Sequence, residues 1–188
     1  MYKMYIVIIA IIAIIALIGV MIIVDHNSLV TLRKRTQNAW SQIEVQLQNR
    51  YELIPNLVET VKGYAGHELT ILQRITEIRS SSENAKTLNE KANEESEIST
   101  ALRSIMAVAE NYPELKSNEN FILLQTQLND IESKIVFSRQ FYNDIVTRYN
   151  TKLELFPSNI AAAMFGFKAV ELFSAESAEA KANLKITF

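Results

Sequence analysis

An all-α protein is predicted, with an N-terminal transmembrane helix followed by an antiparallel four-helix bundle. Three observations lead there. Residues 6–24, IVIIAIIAIIALIGVMIIV, carry no charged or hydrogen-bonding side chain. Beyond them, apolar residues recur at helical spacing almost to residue 150. Helix breakers are scarce, with four glycines and three prolines in 188 residues, and the prolines sit where periodic stretches should end.

The N-terminal stretch comes first. At 1.5 Å per residue its helix would cover about 28 Å, close to the hydrocarbon thickness of a bilayer. A cleaved signal peptide would need a shorter apolar core and a small-x-small cleavage site. This run instead ends in the bulky Met21, Ile22, Ile23 and Val24, so an uncleaved anchor over residues 1–25 is expected. Ala10, Ala13, Ala16 and Gly19 recur every third residue, a spacing that drifts around a 3.6-residue helix. That suits a lipid-facing helix better than a small-xxx-small dimer motif. Lys3 precedes the stretch, and Arg33, Lys34 and Arg35 follow it. The positive-inside rule therefore leans towards a single-pass protein of the cell membrane with a cytoplasmic bundle.

Residues 26–156 are the predicted bundle. A first helix over 27–52 would turn Leu29, Leu32, Ala39, Trp40, Ile43 and Leu47 inward, and with no proline or glycine after Val24 it would continue the anchor as one rod. A second over 55–79 would start at Pro55, whose missing N–H costs nothing in a first turn. It carries Leu57, Val58, Val61, Ala65, Leu69, Leu72, Ile75 and Ile78. Gly63 and Gly66 lie inside it at about 1 kcal/mol each relative to alanine, with close helix approach as the usual reason and a kink as the next. The polar stretch 80–97 predicts a break. A third helix bears Ile98, Leu102, Ile105, Ala109 and Tyr112. The fourth is the most regular: Phe121, Leu124, Leu128, Ile131, Ile135, Ser138, Tyr142, Ile145 and Tyr149 keep the three-four alternation of bundle helices. Ser138 alone breaks the apolar stripe, as close packing would allow.

In such an up-and-down topology the fourth helix ends near the bilayer. There the chain reads FPSNIAAAMFGF over 156–167, and residues 157–188 form a short apolar helix and a tail. Ser158 or Asn159 is suited to cap the helix and Gly166 to end it. Ile160, Met164, Phe165 and Phe167 either fold back to plug the end of the bundle or form an interfacial foot against lipid or a second subunit. The alternating Leu184, Lys185, Ile186, Thr187 and Phe188 end a tail of a type that can add as a strand or dock in a groove, although tails are more often mobile.

Reactive chemistry is thin. Lys and Arg total 19 against 21 Asp and Glu, with no basic face of the kind nucleic acid requires. The absence of cysteine excludes disulfides, thiolate metal sites and thiol catalysis. No Glu-x-x-His occurs for a di-iron bundle site, and His67-Glu68 lacks the second histidine of a zincin helix. Four glycines leave no phosphate-cradling loop or nucleophile elbow. Glu59, Glu110 and Arg139 lie near apolar stripes, where an ion pair setting helix register is favoured over catalysis. No catalytic, cofactor or metal residue is assigned, and no cofactor is expected.

The string RYELIPNLVETVKGYA over 50–65 resembles the signature of the bacterial LemA family. So do NAWSQI (38–43), AVAENYP (107–113), SNENF (117–121), RQFYN (139–143) and FPSN (156–159), in the same order along nearly the whole chain after the anchor. The resemblance implies a membrane-anchored antiparallel four-helix bundle and no known enzymatic activity. Some members are linked to a membrane metalloprotease or envelope stress, and one branch serves magnetosome membranes. Other members carry a lipoprotein cysteine that would place their bundle outside the cytoplasm. This chain has none, and the side of the membrane stays open. The expected function is a non-enzymatic scaffold that self-assembles on a lipid bilayer. The alternative is an adaptor presenting its bundle or tail to another membrane protein such as a protease. Contacts are expected at Ile160, Met164, Phe165, Phe167 and Phe188.

Overall fold

A computed structural model describes residues 2–65, 69–84 and 88–174. They form six helices: α1 (Tyr2–Lys62), α2 (Leu69–Asn84), α3 (Leu88–Ala109), α4 (Pro113–Lys116), α5 (Glu119–Glu154) and α6 (Ser158–Met164). No strand occurs among the described residues. The chain divides into two compact units, Met1–Ser41 with Phe141–Leu172 and Gln42–Gln140 with Phe173–Phe188.

In the first unit, nearly every side chain of residues 2–24 is exposed, and α1 is long and apolar enough to cross a membrane. A Cβ added at Gly19 would meet nothing within 4 Å among the described residues, so this glycine serves no close approach to any of them. Past Asp25 the exposure changes. Leu29, Tyr149, Ala161 and Ala162 are buried together, with Leu32, Leu153, Phe167 and Val170 packed against them. The two alanines bring α6 close to Leu29 and the Tyr149 ring because they add so little volume. Further pairs tie α1 to α5. Lys152 Nζ lies 3.0 Å from Asp25 Oδ1, and the Trp40 and Tyr142 rings meet edge-on at 5.6 Å.

In the second unit, α2 packs on α3 and α3 on α4. Ile43, Leu47, Ile54, Leu57 and Val61 of α1 are buried, as are Leu72 and Ile75 of α2, Ile98 and Ile105 of α3, and Phe121 and Leu128 of α5. Asn118 accepts a bond from the Phe121 N–H at 3.0 Å, satisfying one of the orphan donors at the start of α5. Pro113 opens α4, as a first-turn proline should.

Three helix boundaries differ from the expected ones, each for a physical reason. Pro55 does not separate two helices but lies exposed inside α1. A proline there costs about 3 kcal/mol. Ile54, Leu57, Val58 and Val61 are all buried around it, and each contributes about 1.5–3 kcal/mol, enough to carry the helix through. The helix ends instead at Gly63, where Tyr64 and Ala65 N–H both bond the Val61 carbonyl. Among the described residues a Cβ at Gly63 would meet only the Thr60 carbonyl at 3.5 Å, so close approach to one of their helices is not its role. Gly66 and His67 lie outside the described residues. The broad break over 80–97 shrinks, because α2 runs to Asn84 and α3 starts at Leu88. Ala92 and Glu95 extend the buried stripe of α3 backwards from Ile98, so the polar composition of that stretch conceals a helical register.

Replacing Pro55 with alanine restores one helical hydrogen bond at an exposed position. It should stabilise the chain by about 1–3 kcal/mol, read as a higher urea midpoint for the second unit.

Candidate functional site

The segment after α5 builds a foot beside the end of the apolar stretch. The Phe156–Pro157 peptide is cis. Ser158 does not cap α6 with its side chain. Its hydroxyl lies 2.6 Å from the Lys152 carbonyl and 2.9 Å from the Leu155 carbonyl, and so serves the orphan acceptors at the end of α5. Pro157 holds the position before α6. Gly166 ends that helix with φ +67°, and the Phe167 N–H closes it on the Ala162 carbonyl at 3.0 Å.

From Phe167 the chain returns along α5 as a strap pinned by three side chains. Tyr149 Oη donates to the Lys168 carbonyl and Tyr142 Oη to the Glu171 carbonyl, each at 3.0 Å. Asn150 bonds both the Val170 carbonyl, at 2.8 Å, and the Val170 N–H, at 3.0 Å. Burial pushes the Tyr142 hydroxyl above its usual pKa, helped by Glu171. Burial raises Tyr149 as well, against the opposing effect of Arg33.

The foot is fastened to α1 by aromatic contacts. The His26 ring lies 4.5 Å from Phe165 and 5.7 Å from Phe167, and the Arg33 guanidinium sits 5.1 Å over the Phe167 ring. Asp25 and His26 are the first polar residues after the apolar run, so the foot lies at its edge. Ile160, Met164 and Phe165 are exposed, and Met164 keeps 62% of its surface. Phe167 differs from them: it is half-buried and belongs to the packed side of the foot. Leu155 and Phe156 add exposed apolar surface, Phe156 at 78%. Lys3, Arg33, Lys34 and Arg35 are all exposed. Phe188 and the tail from residue 175 lie outside the described residues.

The second unit holds a buried ionic hub. Arg50, 1% exposed, is among the largest fully buried side chains of the described residues. Its Nη1 contacts Glu132 Oε1 at 2.5 Å and donates to Ser99 Oγ at 3.0 Å, and its Nη2 meets buried Glu95. Tyr51 donates its hydroxyl to Glu95. Arg139 is half-buried beside them, 4.4 Å over the Phe173 ring. Burial, and next the Arg50 charge, lower its pKa, while Glu132 opposes the shift. Arg50, Glu95, Ser99, Glu132 and Arg139 border a cavity of about 420 Å³. Glu59 and Glu110 take no part: both are exposed, and Glu110 pairs with Lys116. The signal for the hub was present in the sequence. Arg50 continues the stripe 43, 47, 50, 54 on α1, and Glu95 the stripe 92, 95, 98, 102 on α3, so two opposite charges occupy core positions.

Among the described residues no group of three or more His, Asp or Glu is placed to hold a metal. The fold and the foot define a class, an all-helical protein with an apolar N-terminal helix and an exposed apolar element at its edge. The chain belongs to the LemA family, whose model matches residues 39–188. It is similar to the magnetosome proteins MamQ 1 and MamQ 2 of Paramagnetospirillum magneticum, at 27% identity over 84% of this chain and 67% of each relative. It is also similar to the protein LemA of Metamycoplasma hominis, at 27% identity over 81% of this chain and 70% of the relative. The chain thus spans about two thirds of the magnetosome relatives' length.

Two outcomes follow from this geometry. Arg50→Met leaves Glu95 buried without its cation and should cost about 3–5 kcal/mol of stability. Adding Glu95→Leu should recover most of that loss in the same denaturation assay. The tyrosines set an alkaline limit. With native pKa values above the unfolded one near 10, their stabilisation is complete below about pH 10 and fades as pH climbs through the native values. The protection of the Val170 amide, its exchange rate taken relative to the intrinsic rate at the same pH, should therefore fall above about pH 10, and Tyr149→Phe with Tyr142→Phe should remove that fall.

Proposed function

We propose that this chain is a non-enzymatic membrane scaffold, held by a single N-terminal span and self-assembling on the bilayer through its foot. The observation that carries the reading is the position of the foot. His26 binds Phe165 at the edge of the apolar stretch, leaving Ile160, Met164 and Phe165 exposed beside it. A contiguous apolar surface of this kind is where lipid or a neighbouring copy docks. The magnetosome names of two relatives are compatible with such a role.

The helices are read as an antiparallel four-helix bundle. Support comes from the pairs Asp25–Lys152 and Trp40–Tyr142, whose numbers rise on α1 as they fall on α5. It comes also from Arg50 on α1 reaching both Glu95 on α3 and Glu132 on α5. The basic residues 33–35 favour a bundle on the cytoplasmic side.

A second reading, an adaptor for another membrane protein, is favoured by Ile122, Leu123, Val136 and Phe137, all exposed on α5 in the second unit. The mass of the intact chain in lipid particles separates the two. Scaffold function predicts a large regular homo-oligomer that Met164→Asp with Phe165→Asp disperses. A monomer carrying a different chain would overturn it in favour of the adaptor.

A further inference from the structure

One cation of the first unit stands over the foot, Arg33 against Phe167, and three more lie close to it in the chain or on the strap. Arg33, Lys34 and Arg35 are exposed on α1 and Lys168 on the strap, and no carboxylate of the described residues pairs with any of them. Lys152, by contrast, is neutralised by Asp25, and in the second unit Arg74, Lys91, Lys116 and Lys134 each have an acidic partner. Asp144, Glu154 and Glu171 are the acids of the first unit left over, fewer than the four cations.

Position makes these charges informative. The Arg33 backbone lies about 14 Å along the helix from Val24. Side chains of a helix tilt towards its N-terminus, which here means towards the apolar stretch. The guanidinium accordingly rests over Phe167, whose own ring touches His26 at the edge of that stretch. A headgroup layer about 5–8 Å thick begins at that edge if residues 6–24 fill the hydrocarbon. A planar guanidinium stacked on an aromatic face still presents N–H donors to a phosphate.

We propose that the foot is a binding surface for anionic phospholipid. Ile160, Met164 and Phe165 enter the acyl boundary, while Arg33, assisted by Lys34, Arg35 and Lys168, holds headgroup phosphate. The inference rests on the membrane reading above and adds to it the class of lipid. Near an anionic surface each basic side chain strengthens association about fivefold, so the four would favour anionic over zwitterionic lipid against the opposition of the three acids.

The cysteine-free chain makes the test direct. Ala163→Cys, at an exposed position of α6, takes a single spin label in the full chain. The chain is reconstituted in phosphatidylcholine bilayers with and without phosphatidylglycerol. Label depth is read from accessibility to oxygen against a nickel chelate. Lipids retained by the intact protein are counted by mass spectrometry. The expected result is a label within the lipid and phosphatidylglycerol retained at least fivefold over phosphatidylcholine, a preference that Arg33→Gln, Lys34→Gln and Arg35→Gln together abolish at unchanged helicity. A label in lipid with equal retention of both lipids overturns the anionic preference and leaves the foot standing. A label in water in both bilayers overturns the membrane-facing foot itself, and this inference with it.

Discussion

A buried guanidinium must be compensated, and in the second unit that requirement falls on Arg50. Removing it from water is tolerable only where carboxylates meet it at hydrogen-bonding distance. Glu95 on α3 and Glu132 on α5 do so, with Ser99 and Tyr51 satisfying further polar atoms. The apolar stripes alone would tolerate sliding by a helical turn, since leucine packs on isoleucine in many registers. An ion pair with fixed partners does not. The hub joins the level of Arg50 on α1 to those of Glu95 on α3 and Glu132 on α5.

The first unit solves a different problem with different means. Its helices must release the chain beside an apolar stretch and still bury enough surface to stay ordered. Small residues do this on α6, where Ala161 and Ala162 pack closely on Leu29 and Tyr149. Polar side chains of α5 then do the holding: Tyr142, Asn150 and Tyr149 bind the backbone of the strap at three successive levels. The foot is consequently fixed on one side and bare on the other. It covers the local core with Ala161 and Ala162 and leaves Ile160, Met164 and Phe165 exposed, so one helix has a packed face and a bare one.

Much of this was legible in the sequence because helical periodicity is a strong signal. The stripe from Phe121 to Tyr149 holds along its length, and the apolar run of residues 6–24 continues into the first helix without a break. Boundaries were less legible. Proline and polar composition argue for breaks, yet burial of Ile54 to Val61 outweighs the defect at Pro55, and Ala92 with Glu95 carries α3 through a polar stretch. Both outcomes depend on what packs against those residues, which no local pattern contains.

The foot shows the same division. Gly166 was marked as a helix end by residue type alone, and its left-handed φ follows from the absence of a Cβ. Phe165 and Phe167, two residues apart, look alike in sequence, but one is exposed and the other half-buried. Residue chemistry by itself determined the helical class, the apolar N-terminal element and the family, because each rests on short-range spacing. Tertiary structure alone decided which charges pair, where helices end and which aromatic faces solvent. Those outcomes turn on free-energy differences between residues far apart in the chain, and only the folded backbone brings them together.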